Sequence, residues 1–119
     1  MPFLSKWFGR KRPPKSLTPD LASEIRRSFE ESAADEQHFP STIDPRISHV
    51  KFVVETLGPL GRGRALDAGS GKGRFARIVK QQNPEATVVA MDLAVTMLHF
   101  ADPTLGRVAG SLLALPFAD

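Results

Sequence analysis

A strand that runs directly into a glycine-rich turn constrains this chain more than any other feature of its sequence. The run is ALDAGSGKGRF, residues 65–75, with glycine at positions 69, 71 and 73. Glycine lets the backbone adopt dihedral angles forbidden to other residues and pass close to a ligand. The helix that follows presents free N–H groups to such a ligand, and Asp67 places a carboxylate beside the turn. The run therefore predicts a ligand site where a strand, a turn and a helix meet.

Strand and helix patterns alternate from this point onward. Strands are predicted at 64–68, 86–91 and 106–110, and helices at 73–82 and 94–101. The second strand, ATVVAM, is continuously apolar, which is typical of a strand buried on both faces. Such alternation at these lengths predicts parallel strands joined by right-handed crossovers. We therefore predict an α/β fold with a Rossmann-like parallel sheet.

Two helices are predicted ahead of the sheet. The first begins near Asp20, carries Leu21, Ile25 and Phe29 on one face, and fades by residues 34–37. The second begins at Asp44-Pro45, a cap followed by proline, and ends at Gly58-Pro59. Its apolar stripe consists of Ile47, Val50, Val53, Val54 and Leu57. The chain then divides into a tail at 1–19, a helical segment at 20–63 and a partial ligand-binding domain at 64–119.

The positive charge of the chain belongs to the tail. The formal net charge is +3, but residues 1–16 contain five basic and no acidic residues, which leaves −2 for the remainder. A body without excess basic charge argues against a nucleic-acid partner. We interpret the tail as disordered. The alternative is a weak membrane-surface contact through residues 1–16, because apolar and basic residues lie side by side there.

Several kinds of site are not expected. Cysteine is absent, which excludes disulfides and thiolate chemistry. His38, His49 and His99 show no metal-ligand spacing, so no metal site is predicted. No apolar run approaches the roughly 18 residues of a membrane span. We expect a cytoplasmic protein, with a peripheral membrane location as the alternative.

Three nucleotide-binding motifs compete for the glycine-rich turn. A P-loop requires G-x-x-x-x-G-K-[ST], but Gly73 follows Lys72 and position 66 is leucine. A dinucleotide fingerprint requires G-x-G-x-x-G, and Arg74 stands where its third glycine belongs. The pattern D-x-G-x-G-x-G matches residues 67–73 without exception. It resembles the first motif of class I S-adenosylmethionine (SAM)-dependent methyltransferases.

A second acidic residue supports a nucleoside ligand. Asp92 ends the second predicted strand, where a carboxylate can accept both ribose hydroxyls of an adenosine. Dinucleotide enzymes also place an acid here, so Asp92 indicates a ribose without choosing the cofactor. The resemblance implies that Leu93 packs against adenine and that Met97 lies in the following helix as part of the cofactor wall.

The last ten residues distinguish between the two candidate cofactors, a dinucleotide and SAM. GSLLALPFAD, residues 110–119, resembles the G-D-A-x-x-L-P-F-x-D segment of the type 11 methyltransferase subgroup. Ser111 replaces an acid that in the family accepts a hydrogen bond from the adenine amino group, and Leu112 is expected to offer its backbone N–H to the ring. The resemblance covers residues 64–119 well and residues 20–63 loosely.

The resemblance implies the first three strands of a class I methyltransferase fold, preceded by two helices, with SAM as cofactor. The cofactor-binding residues that it implies are Asp67, Gly69, Ser70, Gly71, Gly73, Asp92, Leu93, Met97, Ser111 and Leu112. Lys72 and Arg74 are expected to be solvated charges at the start of a helix. The implied acceptor is a small or lipid-like molecule, and no nucleic acid is expected.

Catalytic residues are not identifiable in this stretch. We expect the chain to stop before the half that selects the acceptor, and so to fold poorly and lack turnover by itself. The alternative is a non-catalytic SAM-binding, nucleotide-binding or interaction module from a degenerate or fragmentary methyltransferase, which Ser111 and the short length favour. A fragment of an NAD-binding oxidoreductase ranks third.

Overall fold

A computed structural model of the chain describes residues 19–118. The interpretations of the tail as disordered or membrane-binding lie outside these residues. The elements in chain order are α1 (Pro19–Ser32), α2 (Ser48–Leu57), β1 (Arg64–Ala68), α3 (Arg74–Gln82), β2 (Thr87–Asp92), α4 (Val95–His99) and β3 (Gly106–Ala109). The predicted α/β fold with two preceding helices is confirmed. No helix within residues 19–118 is both long and apolar enough to cross a bilayer.

The three strands form one parallel sheet in the order β1-β2-β3. Ala68 lies opposite Met91, and Asp92 lies opposite Ala109, so all three strands end at the same edge. Hydrogen bonds then join the loops that follow. The N–H groups of Gly69 and Ser70 both donate to the Met91 carbonyl, at 2.8 and 2.9 Å. The sheet edge therefore gathers three loops into one place.

The main core lies around β2, as its apolar sequence predicted. Val88 and Ala90 are buried and pack with side chains of α3 and of the segment from α4 to β3. The members of this cluster are Ala76, Val79, Ala86, Val88, Ala90, Leu98, Ala101 and Leu105. Burial of this apolar surface contributes roughly 25 cal/mol per Å². Helices α3 and α4 are thereby held against the sheet, which positions the loops at its edge.

Helix α2 departs from the prediction in its start and in its burial. It begins at Ser48 rather than at Asp44. The Asp44 carboxylate instead accepts hydrogen bonds from the backbone N–H and the guanidinium of Arg46, which closes a turn before the helix. In the predicted apolar stripe only Val50 is fully buried, whereas Leu57 is 45% exposed. The stripe faces a groove of about 440 Å³ along β1.

The first strand has an unpaired outer edge within residues 19–118. Its side chains alternate between exposed and half-buried, and Leu66 is 41% exposed. An exposed strand edge presents free N–H and C=O groups that can pair with another chain. The groove beside Leu66 adds apolar surface to this edge.

We expect the 119-residue chain to self-associate through β1. Leu66→Lys should weaken this association, since a charge on an edge strand opposes pairing. Val95→Lys is the matched control, because Val95 has nearly the same exposure, 42%, but lies on α4. Sedimentation velocity over a concentration series measures the effect. A monomer at every concentration, or equal effects of the two lysines, would contradict this expectation.

Candidate cofactor site

The glycine-rich turn has the backbone geometry that its sequence predicted. Gly69, Gly71 and Gly73 have φ angles of 79°, 56° and 72°, all in the left-handed region. A Cβ atom at Gly71 would meet nothing within 4 Å, so the backbone there borders open space. A Cβ atom at Gly73 would lie 3.3 Å from Leu105 Cδ1. Gly71 therefore leaves room for a ligand, whereas Gly73 lets α3 pack closely.

Asp92 connects this turn to the end of β2. Its Oδ2 atom accepts the N–H of Gly71 at 2.8 Å, and its Oδ1 atom accepts the N–H of Ala94 at 2.9 Å. Asp92 thus also organises the entry to α4, because Ala94 is the N-cap of that helix. Each carboxylate oxygen has a further lone pair. The half-buried side chain therefore retains acceptor capacity for a ligand.

Asp67 adds a second carboxylate near the turn. Burial raises the pKa of Asp67 above its ordinary value of 3.8, the backbone N–H of Ala76 opposes that effect, and the charge of Asp92 adds to it. The two acids therefore repel each other when both are ionised. A cationic ligand placed near them would relieve this repulsion.

Two neighbouring cavities open at the turn. The larger cavity measures about 600 Å³ and the smaller about 240 Å³. Gly69, Gly71, Met97 and Phe39 line both, so the turn forms part of the boundary between them. The combined volume lies in the range of small-molecule sites, roughly 300–1,000 Å³.

Most of the predicted binding residues lie in these cavities. The larger cavity is lined by the predicted residues Gly69, Gly71, Asp92, Leu93, Met97, Ser111 and Leu112. The smaller is lined by Asp67, Gly69, Ser70, Gly71 and Met97. Gly73 is the exception: it lines neither cavity, because its place is against the core residues Ala101 and Leu105.

Ser111 lies at the wall of the larger cavity with its hydroxyl already engaged. The Oγ atom accepts the N–H of Leu113 at 3.1 Å. The hydroxyl retains its own proton and one further lone pair. Ser111 can therefore still bond to a ligand, but without the charge of a carboxylate.

The sequence did not reveal the contribution of the N-terminal segment to these walls. Ile25 and Phe29 from α1 line the larger cavity, and Phe39 lines both. The Phe29 and Phe39 rings meet edge to face with centroids 6.0 Å apart. The shared face of Ile25 and Phe29 was visible as a period in the sequence, but nothing there showed that this face would cover a site. Phe39 had no sequence signal at all.

Lys72 was expected to be solvated, and that expectation is wrong. Its side chain is 1% exposed, and Nζ lies 2.9 Å from the Glu36 carboxylate and 4.4 Å from the centre of the Phe100 ring. Arg74 is only partly solvated, because it is half-buried and its Cζ lies 5.9 Å from the centroid of the Phe75 ring.

The histidines show no grouping that suggests a metal. Within residues 19–118 no three side chains of metal-ligating type come together. His38 pairs with Asp35 at 2.7 Å, and the His49 ring lies 6.0 Å from that of Phe75. His38 does line the smaller cavity.

A family model described as a methyltransferase domain matches residues 66–119. This part of the chain is therefore similar to a methyltransferase domain. The chain is 36% identical over 106 residues to malonyl-[acyl-carrier protein] O-methyltransferase of Dechloromonas aromatica, covering 89% of this chain and 39% of the relative. It is 39% identical over 66 residues to ribosomal RNA small subunit methyltransferase C of Actinobacillus succinogenes, covering 54% of this chain and 20% of the relative.

A solved structure supports the same fold. The chain superposes on geranyl diphosphate methyltransferase, solved in complex with GPP and sinefungin, with a TM-score of 0.58 at 16% identity. The match covers 81% of this chain and 51% of that chain. The chain therefore spans well under half the length of the curated relatives and about half of the solved one.

Two glycines of the methyltransferase motif should respond differently to alanine. Both substitutions carry the left-handed cost of about 1–2 kcal/mol. Gly73→Ala adds a tight contact with Leu105 and Ala101, whereas the Cβ of Gly71→Ala projects into open space. We expect Gly73→Ala to lower the thermal midpoint more, as measured by circular dichroism. Equal midpoints for the two variants would show that the packing of Gly73 is unimportant.

Asp67→Asn should stabilise the unliganded protein by a few degrees at neutral pH. Because the folded pKa of Asp67 lies above 3.8, the folded state binds this proton more tightly than the unfolded state. The wild-type protein therefore loses stability as the pH rises through that raised pKa. The gain from Asp67→Asn should shrink at lower pH, where the carboxyl is neutral. Thermal melts over a pH series measure it, and a gain that grows towards acid would contradict the assignment.

Proposed function

We propose that this protein binds SAM in the two cavities beside the glycine-rich turn and transfers its methyl group to a small or lipid-like acceptor. The observation that carries the proposal is Asp92, which ends β2, bonds to the Gly71 N–H and lines the larger cavity. An acid in this position suits a ribose. The similarity of residues 66–119 to a methyltransferase domain supports SAM over a dinucleotide.

The larger cavity fits the adenosine part of such a cofactor. Its walls are mostly apolar and include Leu93, Met97, Leu112 and Phe39. Flat apolar walls suit a planar base, and a few placed polar groups fix its orientation. Asp92 would accept the ribose hydroxyls through its remaining lone pairs. Ser111 and the Leu112 backbone would contact the edge of the base.

The smaller cavity fits the amino-acid part. Asp67, Ser70 and the glycine backbone supply polar groups, and His38 and Arg74 stand at its wall. A cationic amino-acid end would lower the energy of the two acids that now repel each other. The solved geranyl diphosphate methyltransferase, which has the same fold, contains sinefungin, and this supports a SAM-like ligand without assigning its parts to the two cavities.

The described residues contribute positioning. SAM supplies a methyl group on a positively charged sulfur, which leaves as a neutral thioether. Little acid–base assistance is therefore needed for the leaving group, and orientation accounts for much of the barrier reduction. The turn, Asp67 and Asp92 would hold the cofactor in one orientation.

The class of acceptor rests on charge. The body after residue 16 has a net charge of −2, and phosphate backbones bind to basic surfaces. This favours a small or lipid-like acceptor over nucleic acid. The names of the relatives include both a carrier-protein substrate and ribosomal RNA. A cytoplasmic location, with membrane contact through residues 1–16 as the alternative, is part of the proposal.

A non-catalytic nucleotide-binding module is the second candidate function. Ser111 favours it, because the hydroxyl lacks the charge that strengthens a bond to the adenine amino group. Such a module would bind SAM or adenosine but would lack turnover. Release of S-adenosylhomocysteine in the presence of candidate acceptors separates the two functions.

Asp92→Ala should weaken SAM binding roughly ten- to 150-fold, since bonds to a charged acceptor contribute about 1.5–3 kcal/mol. Isothermal titration calorimetry with SAM, and with NADH in parallel, provides the measurement. Asp102→Ala is the matched control, because Asp102 also accepts an N–H two residues later, from Thr104, but lines neither cavity. Tighter binding of NADH than of SAM would reject the proposed cofactor. Equal losses in both variants would reject the role of Asp92.

A further inference from the structure

Lys72 is a buried cation in the middle of the glycine-rich turn. Lysine is almost never fully buried unless it is paired. Here the ammonium group meets the Glu36 carboxylate at 2.9 Å and lies 4.4 Å from the centroid of the Phe100 ring. Glu36 lies 36 residues earlier in the chain, so this ion pair is a long-range tie between the turn and the N-terminal segment.

The partner of Lys72 is itself held in place. The Glu36 carboxylate accepts hydrogen bonds from both the backbone N–H and the hydroxyl of Ser41. The backbone N–H of Ser41, followed by Lys72 and the Ser41 hydroxyl, lowers the pKa of Glu36 to about 2. Glu36 is therefore ionised at neutral pH. The same carboxylate closes the loop from 36 to 41 and binds the turn.

This loop carries part of the cavity wall that comes from outside the sheet. Phe39 lines both cavities, and Pro40 lines the smaller one. Phe39 also packs on a small cluster formed by Ala33, Ala94 and Met97. The loop is thus attached at three points: to α1 by its chain connection, to α4 by Phe39, and to the turn by the ion pair.

Of these attachments within residues 19–118, only the ion pair joins the loop directly to the turn. Without it, the positions of Phe39 and Pro40 relative to Gly69 and Gly71 would depend on apolar contacts with α1 and α4. Those contacts are non-directional. A charge-assisted hydrogen bond, by contrast, has a preferred geometry, so it fixes the distance between the two groups as well as holding them together.

We propose that the ion pair of Lys72 and Glu36 is a strap that fixes residues 33 to 41, the 33–41 segment, over the glycine-rich turn. Cofactor affinity depends on this strap. This inference rests on the proposed SAM site. Glu36 lines neither cavity and is a positioning residue, whereas Lys72 both holds the segment and lines the smaller cavity itself. The ammonium of Lys72, being committed to Glu36, is not assigned a bond to the cofactor.

The two single variants and the double variant differ in whether an unpaired charge remains buried. Lys72→Met keeps an unbranched apolar chain against Phe100 and leaves Glu36 free to be solvated, since its side chain is already 59% exposed. Glu36→Gln leaves a buried ammonium with no anionic partner, which is strongly destabilising. Combining the two removes that buried charge. The double variant should therefore recover the stability that Glu36→Gln loses, but it should not recover the strap.

The test combines hydrogen exchange with SAM binding. In the unliganded protein, Lys72→Met should accelerate amide exchange in the 33–41 segment, while α3 and β2 stay protected. Calorimetry should show SAM affinity lowered roughly two- to thirtyfold in Lys72→Met and in the double variant. Arg46→Met is the matched control, because Arg46 pairs with Asp44 in an exposed turn that lines neither cavity.

Stability and affinity separate a strap from a merely structural ion pair. A double variant that melts like the wild type, exchanges faster in the 33–41 segment and binds SAM more weakly supports positioning. Wild-type SAM affinity in Lys72→Met, or unchanged exchange in the 33–41 segment, would overturn the inference. If the wild-type protein binds no SAM, the proposed function fails and the cofactor part of this inference fails with it, while the exchange data still show whether the strap holds the segment.

Discussion

Parallel pairing of three strands is the constraint on which the rest of the structure depends. Parallel strands place their carboxyl ends at one edge, and short loops that leave this edge must lie side by side. The Met91 carbonyl accepts two N–H groups from the turn after β1, and Asp92 accepts a third. These bonds cross from one strand end to the next. They convert a sheet edge into a shaped site before any ligand is present.

The site lowers the stability of the unliganded fold in one respect, through the carboxylate of Asp67. Asp67 is partly buried and lies near the charge of Asp92, and both effects raise its pKa. A fold optimised for stability alone would have little use for such a pair. Carboxylates held together by backbone geometry are useful when a cationic ligand joins them. The electrostatics of the two acids and the similarity of residues 66–119 to a methyltransferase domain therefore both support the proposed cofactor.

Sequence patterns predicted the sheet well and the N-terminal half less well. The β1 range matched to the residue, because a strand bounded by glycine on both sides has clear ends. The start of α2 was wrong, since Asp44 bonds locally to Arg46 and an aspartate–proline pair initiates turns as well as helices. The prediction that Lys72 is solvated was wrong for a different reason. A lysine between two glycines looks solvated unless its distant partner, Glu36, is known.

By itself the sequence determined the strand–turn–helix motif, its two carboxylates and its glycine conformations, because these depend on neighbours within a few residues. Only the tertiary structure decided what closes the site. Phe39, Glu36 and the face of α1 reach the turn from more than thirty residues away. It also decided that Gly73 serves packing rather than the cavity, since the side chains it meets, Leu105 and Ala101, arrive from a later segment. Short stretches of sequence determine local dihedral preferences, whereas contacts between distant segments form only when the chain has packed.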